Sequence, residues 1–169
     1  MKRLTLASLV TALTLATAAS LAHAATVEID WQNPERYLDM RATNEGQDRF
    51  RERTMAELAQ TFRAAAAALP ANQTLRLTVT DVDLAGEIEY FHPNYPFGIR
   101  VMRRVDAPSL DLKFELRDAN DRVLQSGAAR MHDRSYNLRT LIPVDRSPLR
   151  YEKNMIRTWM RETFQSNNS

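Results

Sequence analysis

The stretch Thr74-Leu-Arg-Leu-Thr-Val-Thr-Asp-Val-Asp-Leu-Ala-Gly86 decides the fold. Leu75, Leu77 and Val79 alternate with Arg76, Thr78 and Thr80, the period of a strand with one buried and one wet face. Past Thr80 the apolar parity flips, because Val82 and Leu84 are even-numbered. One face holds both sets only if the strand bulges or ends near Thr80–Asp81. The stretch reads as a central strand, and Asp81 and Asp83 sit where its regularity fails.

Working outward, Asn44 to Leu69 carries Phe50, Thr54, Leu58, Phe62, Ala65 and Leu69 at three- and four-residue steps, with Met55 beside them, which predicts an amphipathic helix. Asn44 with Gln47 fits a capping box, Glu45–Arg49 is spaced as an i,i+4 pair, and Pro70 ends the helix. Upstream, Val27, Ile29 and Trp31 alternate with Glu28 and Asp30 as a first strand, stopped by Asn33-Pro34. Downstream, Ile99–Arg103 predicts a short strand. Leu110, Leu112, Phe114 and Leu116 alternate with Asp111, Lys113, Glu115 and Arg117. Asp118-Ala-Asn-Asp121 is turn chemistry, and Arg122–Met131 is the hairpin partner, with Gly127 a bulge or close-approach point. Asp133–Arg146 reads as an extended connection holding Tyr136, Leu138, Leu141 and Ile142. Ser147-Pro148 predicts a capped start for a second helix striped by Leu149, Ile156, Met160 and Phe164. The expected fold is α+β and two-layered: a mostly antiparallel sheet of four to five strands with two amphipathic helices on one face.

The first residues are set apart from this domain. Lys2 and Arg3 precede an uncharged run from Leu4 to Ala19, and Ala22-His23-Ala24 has the form of a cleavage site. Residues 1–24 are therefore expected to be a cleaved signal peptide, and 25–169 a single domain with a frayed tail at 165–169. The apolar run is short for a spanning helix, which needs about 20 residues, so no stable membrane span is expected after cleavage. Removing Lys2 and Arg3 leaves 21 cations against 21 anions, a balance unsuited to nucleic acid. The chain has no Cys, which excludes disulfides, thiolate catalysis and Cys-ligated metals.

Chemistry-bearing patterns are sparse. No Gly-x-Ser-x-Gly elbow or phosphate-cradling glycine loop exists, and His92 and His132 lack ligand or triad spacing, so no cofactor and no catalytic residue is assigned. Asp81, Asp83, Glu87 and Glu89 form the best acidic constellation. Hard divalent cations need several such oxygens, but the same carboxylates suit pairing with Arg100, Arg103 or Arg104. Tyr90, Phe91, Tyr95 and Phe97, interleaved with Pro93, Pro96 and Gly98, are either a recognition surface or a small core tucked under the loop. Arg150, Tyr151 and Glu152 are a polar network at the start of the last helix, locking it down or forming a small site.

Trp31 with Pro34, Arg49–Arg53, Thr78–Gly86, the Leu110–Gly127 hairpin and Leu149-Arg-Tyr-Glu-Lys153 carry a resemblance that spans most of Val27–Phe164. On these residues the chain resembles a family of exported bacterial proteins catalogued as domain of unknown function 3016. The resemblance implies a periplasmic protein of a Gram-negative cell and brings no activity or cofactor. The leading expectation is a non-enzymatic periplasmic module that binds an envelope protein. The alternative is a metal-dependent enzyme or divalent-metal binder using Asp81, Asp83 and Glu87. Intact-mass measurement on the exported protein should find a chain beginning at Ala25; retention of residues 1–24 would refute the expected cleavage.

Overall fold

A computed structural model describes residues 24–138 and 146–164. Residues 1–23 of the expected signal peptide, Leu141 and Ile142 of the expected connection, and the 165–169 tail lie outside the described residues. The elements run β1 (Thr26–Trp31), α1 (Gln47–Ala65), β2 (Thr74–Asp83), β3 (Glu87–Glu89), β4 (Ile99–Val101), β5 (Ser109–Arg117), β6 (Val123–His132) and α2 (Arg150–Phe164). A four-stranded mixed sheet has the order β1-β2-β5-β6, and β3 pairs with β4 in a separate two-stranded sheet.

β2 is central, with β1 on one side and β5 on the other. It breaks register between Val79 and Asp81, so Leu75, Leu77 and Val79 oppose Leu116, Phe114 and Leu112, and Val82 still opposes Leu110. The extra residue resets the parity, and all of these side chains are buried in one core cluster. β5 and β6 form the expected antiparallel hairpin. Its turn holds Asp121 at φ 59°, with Asp118 Oδ1 accepting the Asn120 and Arg122 backbone N–H groups.

β1 runs parallel to β2, with Val27 beside Leu75 and Ile29 beside Leu77. Parallel neighbours need a long crossover, and α1 supplies it. Ile99–Val101 is a strand, as expected, but it pairs with Glu87–Glu89 outside the main sheet.

Thr54, Leu58 and Phe62 of α1 and Met155, Ile156, Met160 and Phe164 of α2 are buried with the β2 and β5 side chains. α1 packs on α2 and reaches β1, while α2 reaches β6. Trp159 ties three elements together. It stands edge-on to Phe62 of α1 at 6.2 Å, to Phe114 of β5 at 5.5 Å and to Phe164 at 5.5 Å. Such edge-to-face pairs add to the area they bury, each by about 0.5–1.5 kcal/mol. Side chains alternating with the buried set carry the charge: Arg76 of β2 pairs with Glu28 of β1 at 2.8 Å and with Asp121 at 3.3 Å.

The helix starts differ from expectation. Gly46, not Asn44, is the N-cap of α1, and Gln47 is its first residue. The Gln47 side chain donates to Met40 O at 2.5 Å and accepts from Ala42 N at 3.1 Å, so it ties down the incoming segment instead of closing a capping box. Glu45 pairs with Arg53 rather than Arg49. α2 begins at Arg150, whose N–H bonds to Ser147 O at 3.2 Å, so Ser147-Pro148 forms a turn ahead of the helix. The described start of the connection that follows β6 is likewise not simply extended. Asp133 Oδ1 accepts Ser135 N, and Tyr136 N bonds to Asp133 O, a turn that drives Tyr136 into the interior.

Gly127 is a close-approach point. A Cβ there would lie 3.1 Å from Phe114 Cε1 and 3.2 Å from Cζ, and the β6 register break falls elsewhere, opposite Leu116/Arg117. Its missing side chain seats the Phe114 ring. Gly127→Val is expected to cost about 1–3 kcal/mol by overpacking, read as a lower urea midpoint, with part of the loss recovered in the double variant with Phe114→Leu.

Candidate functional site

The break in β2 leaves backbone groups to satisfy, and the segment after β1 satisfies them. Gln32 N and the Tyr37 hydroxyl both donate to Val79 O at 3.0 Å. Asp81 Oδ1 accepts Leu38 N at 2.8 Å and its own neighbour Val82 N at 2.9 Å. Asp39 continues the contact: Asp39 N donates to Val82 O, and Leu84 N donates to Asp39 O. Burial pushes the Tyr37 hydroxyl well above the usual tyrosine range, with Asp30, Asp81 and Glu35 adding to the shift. Asp81 is therefore committed to holding the bulge and its neighbouring segment.

Arg100 of β4 fastens the small sheet to this region. Its guanidinium grips the buried Asp39 carboxylate with two bonds, at 2.5 and 3.2 Å, and also donates to Gly86 O at 2.8 Å and Arg41 O at 3.3 Å. A forked guanidinium–carboxylate pair of this kind is strong and directional. Gly86 makes the approach possible. Its φ is +80°, and a Cβ there would lie 2.6 Å from Val101 O. Arg41 adds a bond to Asp39 at 3.2 Å and reaches Glu87 at 3.4 Å.

Glu152 comes from the first turn of α2 and is 2% exposed. Its Oε1 accepts Ala85 N at 2.7 Å, pinning α2 to the strand end, while Oε2 has no hydrogen-bond partner among the described residues. Burial raises its pKa; the backbone N–H groups of Ala85 and Glu152 and the charges of Arg100 and Arg150 pull the other way. Arg150 donates to the Tyr151 hydroxyl at 3.0 Å and lies over that ring at 4.4 Å, and Tyr151 stands edge-on to the buried Tyr136 at 4.7 Å. Arg150, Tyr151 and Glu152 thus dock the helix. Glu152 also lines a cavity of about 220 Å³ with Arg41, Arg53, Arg100, Phe50 and Leu84.

The acidic residues lie near one another but do not converge as a ligand set. Asp81 serves backbone N–H groups, Glu87 faces Arg41, and Glu89 pairs with Arg103. Among the described residues no group of three or more His, Cys, Asp or Glu side chains is placed to hold a metal ion. The aromatics point outward: Phe91 is 101% exposed and Phe97 70%, with Tyr90 and Tyr95 about half exposed. The tucked arrangement is overturned, because the chain bends back on itself here. Tyr95 N bonds to His92 O and Gly98 N to Tyr95 O, and the His92 and Tyr95 rings sit 4.9 Å apart. Sequence reasoning missed Asp39 and Arg41, whose partners Arg100 and Glu87 lie far away along the chain.

Asp83 is half-buried, and its pKa is pushed up to about 6 by burial first and then by Asp39, Asp81 and Glu87, with Arg100 opposing. A carboxyl whose folded pKa exceeds its unfolded value favours the fold below pH ~4, and that contribution is lost as pH rises through about 6. Asp83→Asn is thus expected to be more stable than the parent at pH 7.5 by about 1 kcal/mol, the full shift being discounted for partial exposure. The advantage should close toward pH 4 in urea titrations; an equal effect at both pH values would remove the role given to Asp83.

A family model described as "Protein of unknown function (DUF3016)" matches residues 25–162. No curated protein matches the chain. Among solved structures, a dodecamer of a PelC point variant from Paraburkholderia phytofirmans is similar at 17% identity and a TM-score of 0.32, over 84% of this chain and 85% of that one. With one family model spanning nearly all of the described residues, the chain belongs to the DUF3016 family of proteins of unknown function.

Proposed function

We propose that the protein is a non-enzymatic binding module of the cell envelope, exported to the periplasm, that docks an envelope protein through the β3–β4 hairpin. One observation carries the reading. Tyr90, Phe91, Tyr95, Phe97, Met102 and Val105, all on or beside one short hairpin, are exposed. Large apolar side chains gathered on one exposed element mark interaction surfaces, and aromatic residues dominate the energy of protein contacts.

The rim favours a protein partner over a lipid surface. Glu89 and Arg103 pair across the hairpin, so both charge signs flank the aromatics, whereas lipid-binding faces are enriched in cations. No helix among the described residues is long and apolar enough to cross a membrane. In this reading both helices roof one face of the sheet, and the Arg100–Asp39 pair presents the hairpin as a rigid unit.

A photoreactive residue at Phe91 or Phe97 should yield one discrete crosslinked envelope protein in cells, with none from the exposed Gln60 of α1. The purified partner should bind the parent at least about tenfold more tightly than Phe91→Ser or Phe97→Ser. Identical capture from Gln60, or affinity unchanged by both substitutions, would refute the proposal.

A further inference from the structure

The two edges of the main sheet meet solvent differently. β1 is six residues long, and the exposed Glu28 and Asp30 alternate with its apolar positions. β6 is ten residues long and, among the described residues, pairs with β5 alone. Its Ser126, Gly127, Ala128, Arg130 and His132 are exposed. A strand edge offers backbone N–H and C=O groups to another strand, and proteins guard such edges with charge, proline, bulges or short length. The register break opposite Leu116/Arg117 guards only the start of β6. From Gln125 to Ala129 no side chain is charged and none is proline.

The charges beside this edge select the strand that fits it. On the sheet face that β5 does not bury, Ser126 lies beside Glu115, Ala128 beside Lys113 and Arg130 beside Asp111. Arg130 is 75% exposed, and its pair with Asp111 is long at 3.5 Å. In an antiparallel contact between two copies, one β6 residue faces its own counterpart and the others pair symmetrically about it. Centred on Ala129, the contact sets Arg130 against Ala128, beside Lys113. Centred on Gly127, it sets Arg130 against Leu124 in the register break, beside Arg117. Both put like charges together, which opposes association. Centred on Ala128, it sets Arg130 against Ser126, beside Glu115, and keeps all of Gln125–Met131 in the ladder. Two strand spacings are about 10 Å, within the joint reach of an arginine and a glutamate side chain across a small serine.

We propose that β6 pairs antiparallel with β6 of a second copy, turned about Ala128, so that two main sheets join into one. Arg130 of each copy then lies between its own Asp111 and the other copy's Glu115. On the core side Gly127 meets Ala129, two small residues that let the backbones close. The occupant is the same strand because the charge pattern complements itself in this register. A two-fold contact of this kind uses up both edges it joins, so assembly stops at the dimer.

Sedimentation velocity of the purified protein should show a monomer–dimer equilibrium and no larger species. Ala128→Glu should fold, because the new carboxylate faces Lys113 of its own β5, and should weaken the dimer at least about tenfold by setting like charges on the axis. The chain has no Cys, so single cysteines report the register. Under mild oxidation Ala128→Cys should give a disulfide-linked dimer and Ser126→Cys should not, while Ser126→Cys mixed with Arg130→Cys should link the two variants. A chain that stays monomeric, a dimer indifferent to Ala128→Glu, or linkage of Ser126→Cys as complete as that of Ala128→Cys would overturn the proposal. So would open-ended assemblies that grow with concentration, the mark of β6 pairing with β1 of the next copy. β6 shares no residue with the aromatic hairpin, so Phe91→Ser should leave the dimer intact, and a dimer lost in that variant would refute the β6 contact.

Discussion

One extra residue between Val79 and Asp81 governs the architecture. Without it, Val82 and Leu84 would face away from the core that Leu75, Leu77 and Val79 build, because strand side chains alternate strictly. The irregularity exposes backbone that the next segment must cover, and Tyr37, Leu38 and Asp39 cover it. Once Asp39 lies there, its buried carboxylate demands a cation, and Arg100 arrives from β4 to supply it. The small sheet, the Gly86 turn and the Glu152 contact all follow from that placement.

The network is costly in isolation. Burying an ion pair rarely adds net stability over an apolar replacement, but breaking one leaves an uncompensated charge. Its role here is better read as specification. Asp39 meets a forked guanidinium, Ala85 N meets a carboxylate, and Gly86 adopts a φ that side-chain-bearing residues avoid, so the hairpin and α2 are each fixed to the end of β2 in a single geometry.

Much of the fold was legible because it follows local periodicity. The β2 parity flip located the bulge, the Leu110–Leu116 alternation located β5, and the Phe50–Leu69 stripe located α1. The direction of β1 was not legible, since its short alternating run is the same for either orientation and only the α1 crossover selects parallel pairing. Helix starts were misplaced where polar side chains found distant partners, as Gln47 did on Met40 O. The acidic cluster looked like a ligand set in one dimension, but Asp81 and Glu87 turn to separate partners in three. Asp39 and Arg100 are 61 residues apart, and no spacing rule joins such a pair.

The parallel placement of β1 also has a kinetic meaning. The β5–β6 ladder closes over a short turn, while Thr26 can meet Thr74 only after all of α1 has been threaded between them. Loop closure is entropically dearer for the longer segment, which orders assembly from the hairpin outward and seats the amino-terminal strand last. An edge strand held on one side only depends wholly on that one ladder and on its side chains packed against the core. The crossover that completes the sheet thus leaves its amino-terminal edge held by the single ladder to β2.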